Sequence, residues 1–125
     1  MRIIVALGLA LLAAACGWNP LGSSDAGDAD GLLSAAIAGS TLRMESHAGT
    51  PLYYLAYRDG VLAQFARCLA PACPAVPPGG VVFLPLDSLT GWDAEARAVR
   101  LEYWNLIHDT DGYRADSVRT LVVSH

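Results

Sequence analysis

The sequence predicts an all-β fold, an antiparallel β-sandwich of six or seven short strands, and three observations carry that expectation. From Thr41 onward the apolar residues recur at every second position in several stretches, the period of a half-buried strand. Turn signals punctuate the chain every eight to twelve residues or so, among them Arg58-Asp59-Gly60 and Asp109-Thr110-Asp111-Gly112. The sequence that remains after an N-terminal leader is long enough for one domain with a single core and no more.

The leader comes first. Arg2 is a single positive charge, and Ile3 to Leu12 form an apolar run broken only by small residues, the n-region and h-region of an export signal. The run is too short to span a membrane, which takes roughly 20 apolar residues to cross about 30 Å of hydrocarbon. Ala13-Ala14-Ala15-Cys16 follows, and it resembles the lipobox of bacterial lipoproteins, in which small residues precede a cysteine that is lipidated and becomes the new N-terminus. The resemblance implies a signal peptide over residues 1–15 and a lipidated Cys16 carrying diacylglycerol and palmitate-type chains. Each buried methylene contributes about 0.8 kcal/mol and one chain alone binds only marginally, so two or three chains imply stable anchoring. Gly17 stands where Asp would favour inner-membrane retention, so the implied location is the outer membrane, facing the periplasm. Ala13-x-Ala15 also satisfies an ordinary secretory cleavage site, which would leave Cys16 as a thiol.

Residues 16–31 read as the lipidated cysteine and a flexible tether, since Gly17 to Gly31 is mostly Gly, Ser, Asp and Ala. As a coil it reaches roughly 20 Å, enough to hold a small domain clear of a bilayer. Asp25, Asp28 and Asp30 read as solvating charge, while Trp18 and Leu21 suit a lipid interface.

The domain then occupies residues 32–125. Leu32 to Ala38 fits a first strand or a short helical turn. Leu42, Met44 and Ser46 alternate with Arg43, Glu45 and His47, and Ala48-Gly49-Thr50-Pro51 is a turn. Leu52 to Arg58 is apolar on both faces, Leu52, Tyr54 and Ala56 on one and Tyr53, Leu55 and Tyr57 on the other. Such a strand is either covered twice or shows aromatics to a partner. Arg58-Asp59-Gly60 predicts a hairpin, with Val61 to Cys68 returning as a strand or a helix. Pro71 to Gly80 is too rich in proline for a central strand and must be an ordered loop. Val81 to Leu84 forms a strand stopped by Pro85, and Asp93-Ala94-Glu95-Ala96 offers one helical turn. Arg97 to Ile107 is the longest strand, with Val99, Leu101, Tyr103 and Ile107 opposite Arg100, Glu102 and Trp104. A hairpin at Asp109 to Gly112 leads to a last strand from Ser117 to Ser124. In size and rhythm the domain resembles an immunoglobulin-like sandwich, an architecture that hosts many unrelated functions.

Charge and cysteines limit the partners. The chain has 8 basic residues, all Arg, against 12 acidic ones, for a net charge of −4. An acidic surface without a basic cluster excludes nucleic acid as the natural partner and excludes electrostatic docking on anionic lipid. Of the three cysteines, Cys16 goes to lipid, which leaves Cys68 and Cys73 as a disulfide suited to an exported protein. Redox chemistry favours two intervening residues rather than four, and no local His completes a metal set.

No residue pattern commits the chain to catalysis. Asp109, Asp111 and Asp116 surround Gly112 like part of a calcium loop, but the closing bidentate Glu is missing and a hairpin turn is the simpler reading. His47, His108, His125 and Met44 are scattered without ligand spacing, so no metal and no cofactor is expected. No Ser lies in a Gly-x-Ser-x-Gly elbow and no nucleotide loop occurs. What remains is surface: Tyr53, Tyr57 and Trp104, flanked by Arg100 and Glu102, are expected to form an exposed aromatic stripe for a protein partner in the envelope, unless the chain itself covers them. The expected function is therefore a membrane-anchored, non-enzymatic interaction or accessory module, with a periplasmic ligand- or metal-binding protein, or a protease-inhibitor-like domain, as the alternatives.

Overall fold

The computed structural model of the chain describes residues 24–27, 31–61 and 66–124. The leader, Cys16, most of the tether with Trp18 and Leu21, residues 62–65 and His125 lie outside the described residues.

Among the described residues eight strands run in chain order: β1 Ser24–Gly27, β2 Leu33–Ala38, β3 Thr41–Ser46, β4 Leu52–Arg58, β5 Ala75–Val76, β6 Val81–Pro85, β7 Ala98–Asp109 and β8 Gly112–Ser124. They form two antiparallel sheets, ordered β1-β2-β3-β6 and β5-β4-β7-β8. The two sheets pack face to face, so the fold is an all-β sandwich. β1 and β2 lie against β8, and β3 lies near β5. The likeness to immunoglobulin domains is one of size and two-layer build, because β1, β2 and β3 follow one another in one sheet as a meander.

The period-two pattern explains the core. Leu33, Ala35 and Ile37 of β2 and Leu42 and Met44 of β3 point inward, against Leu52 of β4, Val99, Leu101 and Tyr103 of β7, and Leu121 and Val123 of β8. Ser46 continues the inward row of β3 and is buried, and its hydroxyl accepts the Ala48 N–H at 3.1 Å, so a polar atom in the core's rim is satisfied. Leu32 to Ala38 resolves as strand rather than helix, because only a period of two puts Leu33, Ala35 and Ile37 on one face.

Three expectations need correction. The tether is not free to Gly31, since Ser24–Gly27 pairs with Ser34–Ile37 as an edge strand. The returning strand after Gly60 does not form at residues 66–68. Gly60, at φ 93°, makes the turn, but Cys68 is tied to Cys73 and four prolines follow, so on that side β4 is met by the two-residue β5 and by a parallel bridge from Thr90 to Tyr57. Asp93 to Ala96 is a turn, not a helical one: Ala96 N–H donates to the Asp93 carbonyl, and Glu95 N–H to the Asp93 carboxylate.

The Asp109–Gly112 hairpin forms as expected, with Thr110 and Asp111 at its tip and Gly112 at φ 113°. Below it the β7–β8 ladder slips by one residue between Tyr103 and Asn105. Ser117 and Val118 there oppose Trp104 alone, and Ser117 takes φ 52°, a left-handed conformation that costs a residue with a Cβ about 1–2 kcal/mol.

Candidate functional site

The three aromatic residues expected on the surface are buried. Tyr53 and Trp104 are direct cross-strand neighbours on the outer face of β4 and β7, with Tyr57 further along β4 opposite Arg100. Tyr53 and Tyr57 are each 7 % exposed and Trp104 only 1 %. The chain supplies the cover itself. The Pro-rich loop folds back over this face, and the Cys68–Cys73 disulfide, with Cα atoms 5.8 Å apart, places Cys73, Ala70 and Ala75 against Tyr53, Trp104, Leu55 and Leu106. The expected partner stripe is thus a second small core.

Polar groups rivet the cover to the sheet. Glu102 receives the Tyr57 hydroxyl at 2.7 Å on one carboxylate oxygen and the Arg67 guanidinium at 2.8 Å on the other. Arg67 also lies over the Trp104 ring, 5.9 Å from its centroid, within cation–π range. Tyr53 donates its hydroxyl to the Pro71 carbonyl at 3.3 Å, and Arg100 Nε donates to Asp59 at 2.9 Å. Burial, reinforced by the Glu102 carboxylate, pushes the Tyr57 hydroxyl above the ordinary tyrosine pKa. One group is left over: the Trp104 indole N–H is buried with no hydrogen-bond partner among the described residues.

The titratable residues singled out in the sequence have structural company. His108 stacks on Tyr113 with ring centroids 4.4 Å apart. Asp109 accepts Arg114 Nε and the Asp111 N–H, each at 3.0 Å, contacts that hold its carboxyl below the usual carboxylate range. Asp116 accepts the Ser117 hydroxyl beside the bulge. Among the described residues no three His, Cys, Asp or Glu side chains gather as a metal set. His47 and Ser34 do meet, Nε2 to Oγ at 3.1 Å on the exposed face of β2 and β3, but no carboxylate among the described residues orients the imidazole as a general base requires. The pair ties two strands together.

What the structure leaves open is elsewhere. β6 is the last strand of its sheet, and its outer face shows Val81 at 37 % exposure and Phe83 at 62 %, the most exposed large apolar side chain described. Next to them on β3, Glu45 stands beside Val81 and Arg43 beside Phe83, and the two charges pair at 3.1 Å. The signal was in the sequence: a strand that begins after Gly79-Gly80 and ends on Pro85 is an edge strand, and its alternation puts Val81 and Phe83 on the face opposite Val82 and Leu84. A second feature is a half-open cleft of about 290 Å³ at one end of the sandwich, lined by Gly39, Ser40, Thr41, Leu86, Asp87 and Trp92.

No protein family, no curated protein and no solved structure matches the chain.

Proposed function

We propose that this chain is a lipid-anchored lipoprotein of the cell envelope, a non-enzymatic interaction module held by Cys16 on the outer membrane and facing the periplasm, and that β6 is the element it presents to a protein partner. The observation that carries the reading is the exposed pair Val81 and Phe83 on a sheet edge with no strand beyond it among the described residues, in a domain that covers its other outer apolar face with its own loop. The Cys68–Cys73 bridge supports an oxidising compartment, as export through the leader requires. Enrichment of aromatic side chains is a mark of contact surfaces, and an open strand edge adds main-chain donors and acceptors to it.

The test is made in a bacterial host on the full chain. A fatty-acid label incorporated by the native chain and lost in Cys16→Ala checks the anchor; an unlabelled native chain would refute it. A photocrosslinker at position 83 should give a discrete adduct on intact cells, and one at Thr120, on the outer face of the other sheet, should not. No adduct from either position, or the same adducts from both, would refute the role of β6. A ligand-binding role rests on the cleft at Trp92 and Asp87; a small molecule that quenches Trp92 fluorescence saturably would favour it.

A further inference from the structure

We propose that the partner of β6 is a second copy of this chain, and that two four-stranded sheets join edge to edge through antiparallel β6 strands into one continuous eight-stranded sheet. The inference rests on the reading of β6 as the contact element and names what it contacts.

The hydrogen-bond pattern of β6 is self-complementary. Ser46 N–H donates to the Gly80 carbonyl and Leu86 N–H to the Ser40 carbonyl, which bracket the β3–β6 ladder. In an antiparallel pair the bonded residues alternate, so Val82 and Leu84 spend their main-chain groups on Met44 and Leu42. The N–H and C=O groups of Val81 and Phe83 therefore point away from β3, toward the open edge. Pro85 belongs to the same outward set, which is why a residue without an N–H is tolerated inside this strand. A two-fold axis beside Val82 sets Val81 opposite Phe83 of the second copy and Phe83 opposite its Val81. Those two pairs exchange four N–H···O=C bonds, and Pro85 ends the ladder.

The side chains fit the same axis. Opposite residues of an antiparallel pair share a face, so each exposed Phe83 packs beside a Val81, a favourable aromatic and β-branched pair. Continuing outward, each row reads Arg43, Phe83, then Val81 and Glu45 of the second copy, so opposite charges end every row and no like charges meet. The contact is isologous and consumes the edge, giving a closed dimer rather than a fibre. Neither edge of the other sheet is its equal: β5 is two residues long, and β8 carries Arg114, Asp116 and Arg119 along with its bulge, features that discourage edge pairing.

Sedimentation of the full chain in mild detergent tests this, from about 10 to about 500 µM. The native chain should reach twice the mass of its lipidated protomer at the upper end. Phe83→Pro deletes an outward N–H and leaves the β3 ladder intact, and Phe83→Lys puts charge on the edge; each should weaken association at least about tenfold. Val122→Lys, at an exposed position of the other sheet, should leave association unchanged. A native chain that stays monomeric throughout, or a dimer that survives both Phe83 substitutions with an unchanged circular dichroism spectrum, would overturn the proposal. An adduct from position 83 to a different protein, with a monomeric native chain, would overturn the dimer while leaving β6 as a contact element.

Discussion

Reducing the Cys68–Cys73 bridge should unfasten the cover over Trp104, and the size of the effect follows from the loop it closes. A cross-link between residues five apart lowers the entropy of the unfolded chain by an amount worth about 2 kcal/mol at room temperature. That figure is an upper bound, because the reduced loop keeps a turn of its own: Cys73 N–H donates to the Ala70 carbonyl at 3.0 Å, with Pro71 in the position that favours such a turn. For a domain of this length each kcal/mol moves the melting temperature by about 4–8 °C, so reduction should lower it by about 5–15 °C. A local signature should accompany the global one. Trp104 is 1 % exposed beneath Cys73, Ala70 and Arg67, so its fluorescence should become accessible to acrylamide on reduction, and a Trp104→Phe chain should lose that change. Calorimetry and quenching, run with and without a phosphine reductant, give both numbers. A melting shift under about 2 °C together with unchanged quenching would show that the loop stays in place without its bridge, and the account of the second core would fail.

Three other outcomes follow from single residues. Ser117→Gly removes a Cβ from a residue at φ 52° and should raise stability by about 1 kcal/mol in urea denaturation, whereas Ser117→Val should lower it. Asp109, held below the usual carboxylate range first by Arg114 and then by the Asp111 N–H, contributes stability that is present above the ordinary Asp pKa of about 3.9 and lost as pH falls through the lower folded value; Asp109→Asn should flatten acid unfolding in that window. Tyr57, raised first by burial and then by Glu102, contributes stability that is present below about pH 10 and lost as pH climbs through the folded value. Tyr57→Phe should therefore delay alkaline unfolding followed by circular dichroism.

Much of the sandwich was legible because period two is written in residues whose partners are local. Leu42 and Met44 alternate with Arg43 and Glu45, and the Asp109 to Gly112 hairpin fixes its own register. What was not legible depended on contacts distant in sequence. Ser24–Gly27 looks like linker, being Ser, Asp, Ala and Gly, and becomes a strand only because β2 offers it an edge. Val61 to Cys68 has the length and apolarity of a returning strand, yet Arg67 is drawn to Glu102, 35 residues away, and Cys68 to Cys73. The aromatic stripe was placed on the right face, with Tyr53 opposite Trp104, but its exposure turned on whether the Pro-rich loop folds back. Two cysteines five apart and a run of prolines are enough to imply a bridge and an ordered loop; that the bridge lays the loop on Trp104 is a tertiary fact.

The treatment of the two outer faces is what gives β6 its weight. On the β4–β7 side the outward residues are Tyr53, Leu55, Tyr57, Trp104 and Leu106, too much apolar surface to leave wet, and the chain covers them with a bridged loop, an ion pair and a cation–π contact. On the other sheet the outward residues of β2 and β3 are Ser34, Ala36, Arg43 and Glu45, which need no cover. Val81 and Phe83 break that rule, since nothing among the described residues covers them and no charge on β6 itself guards the edge. A single Val81→Thr and Phe83→Thr double substitution would keep β propensity and should cost the monomer within about 0.5 kcal/mol, as surface changes do. If instead it destabilises the isolated domain strongly, the two side chains belong to the fold and not to a partner. Unchanged stability combined with lost association is the pattern that an interface, and not a core, produces.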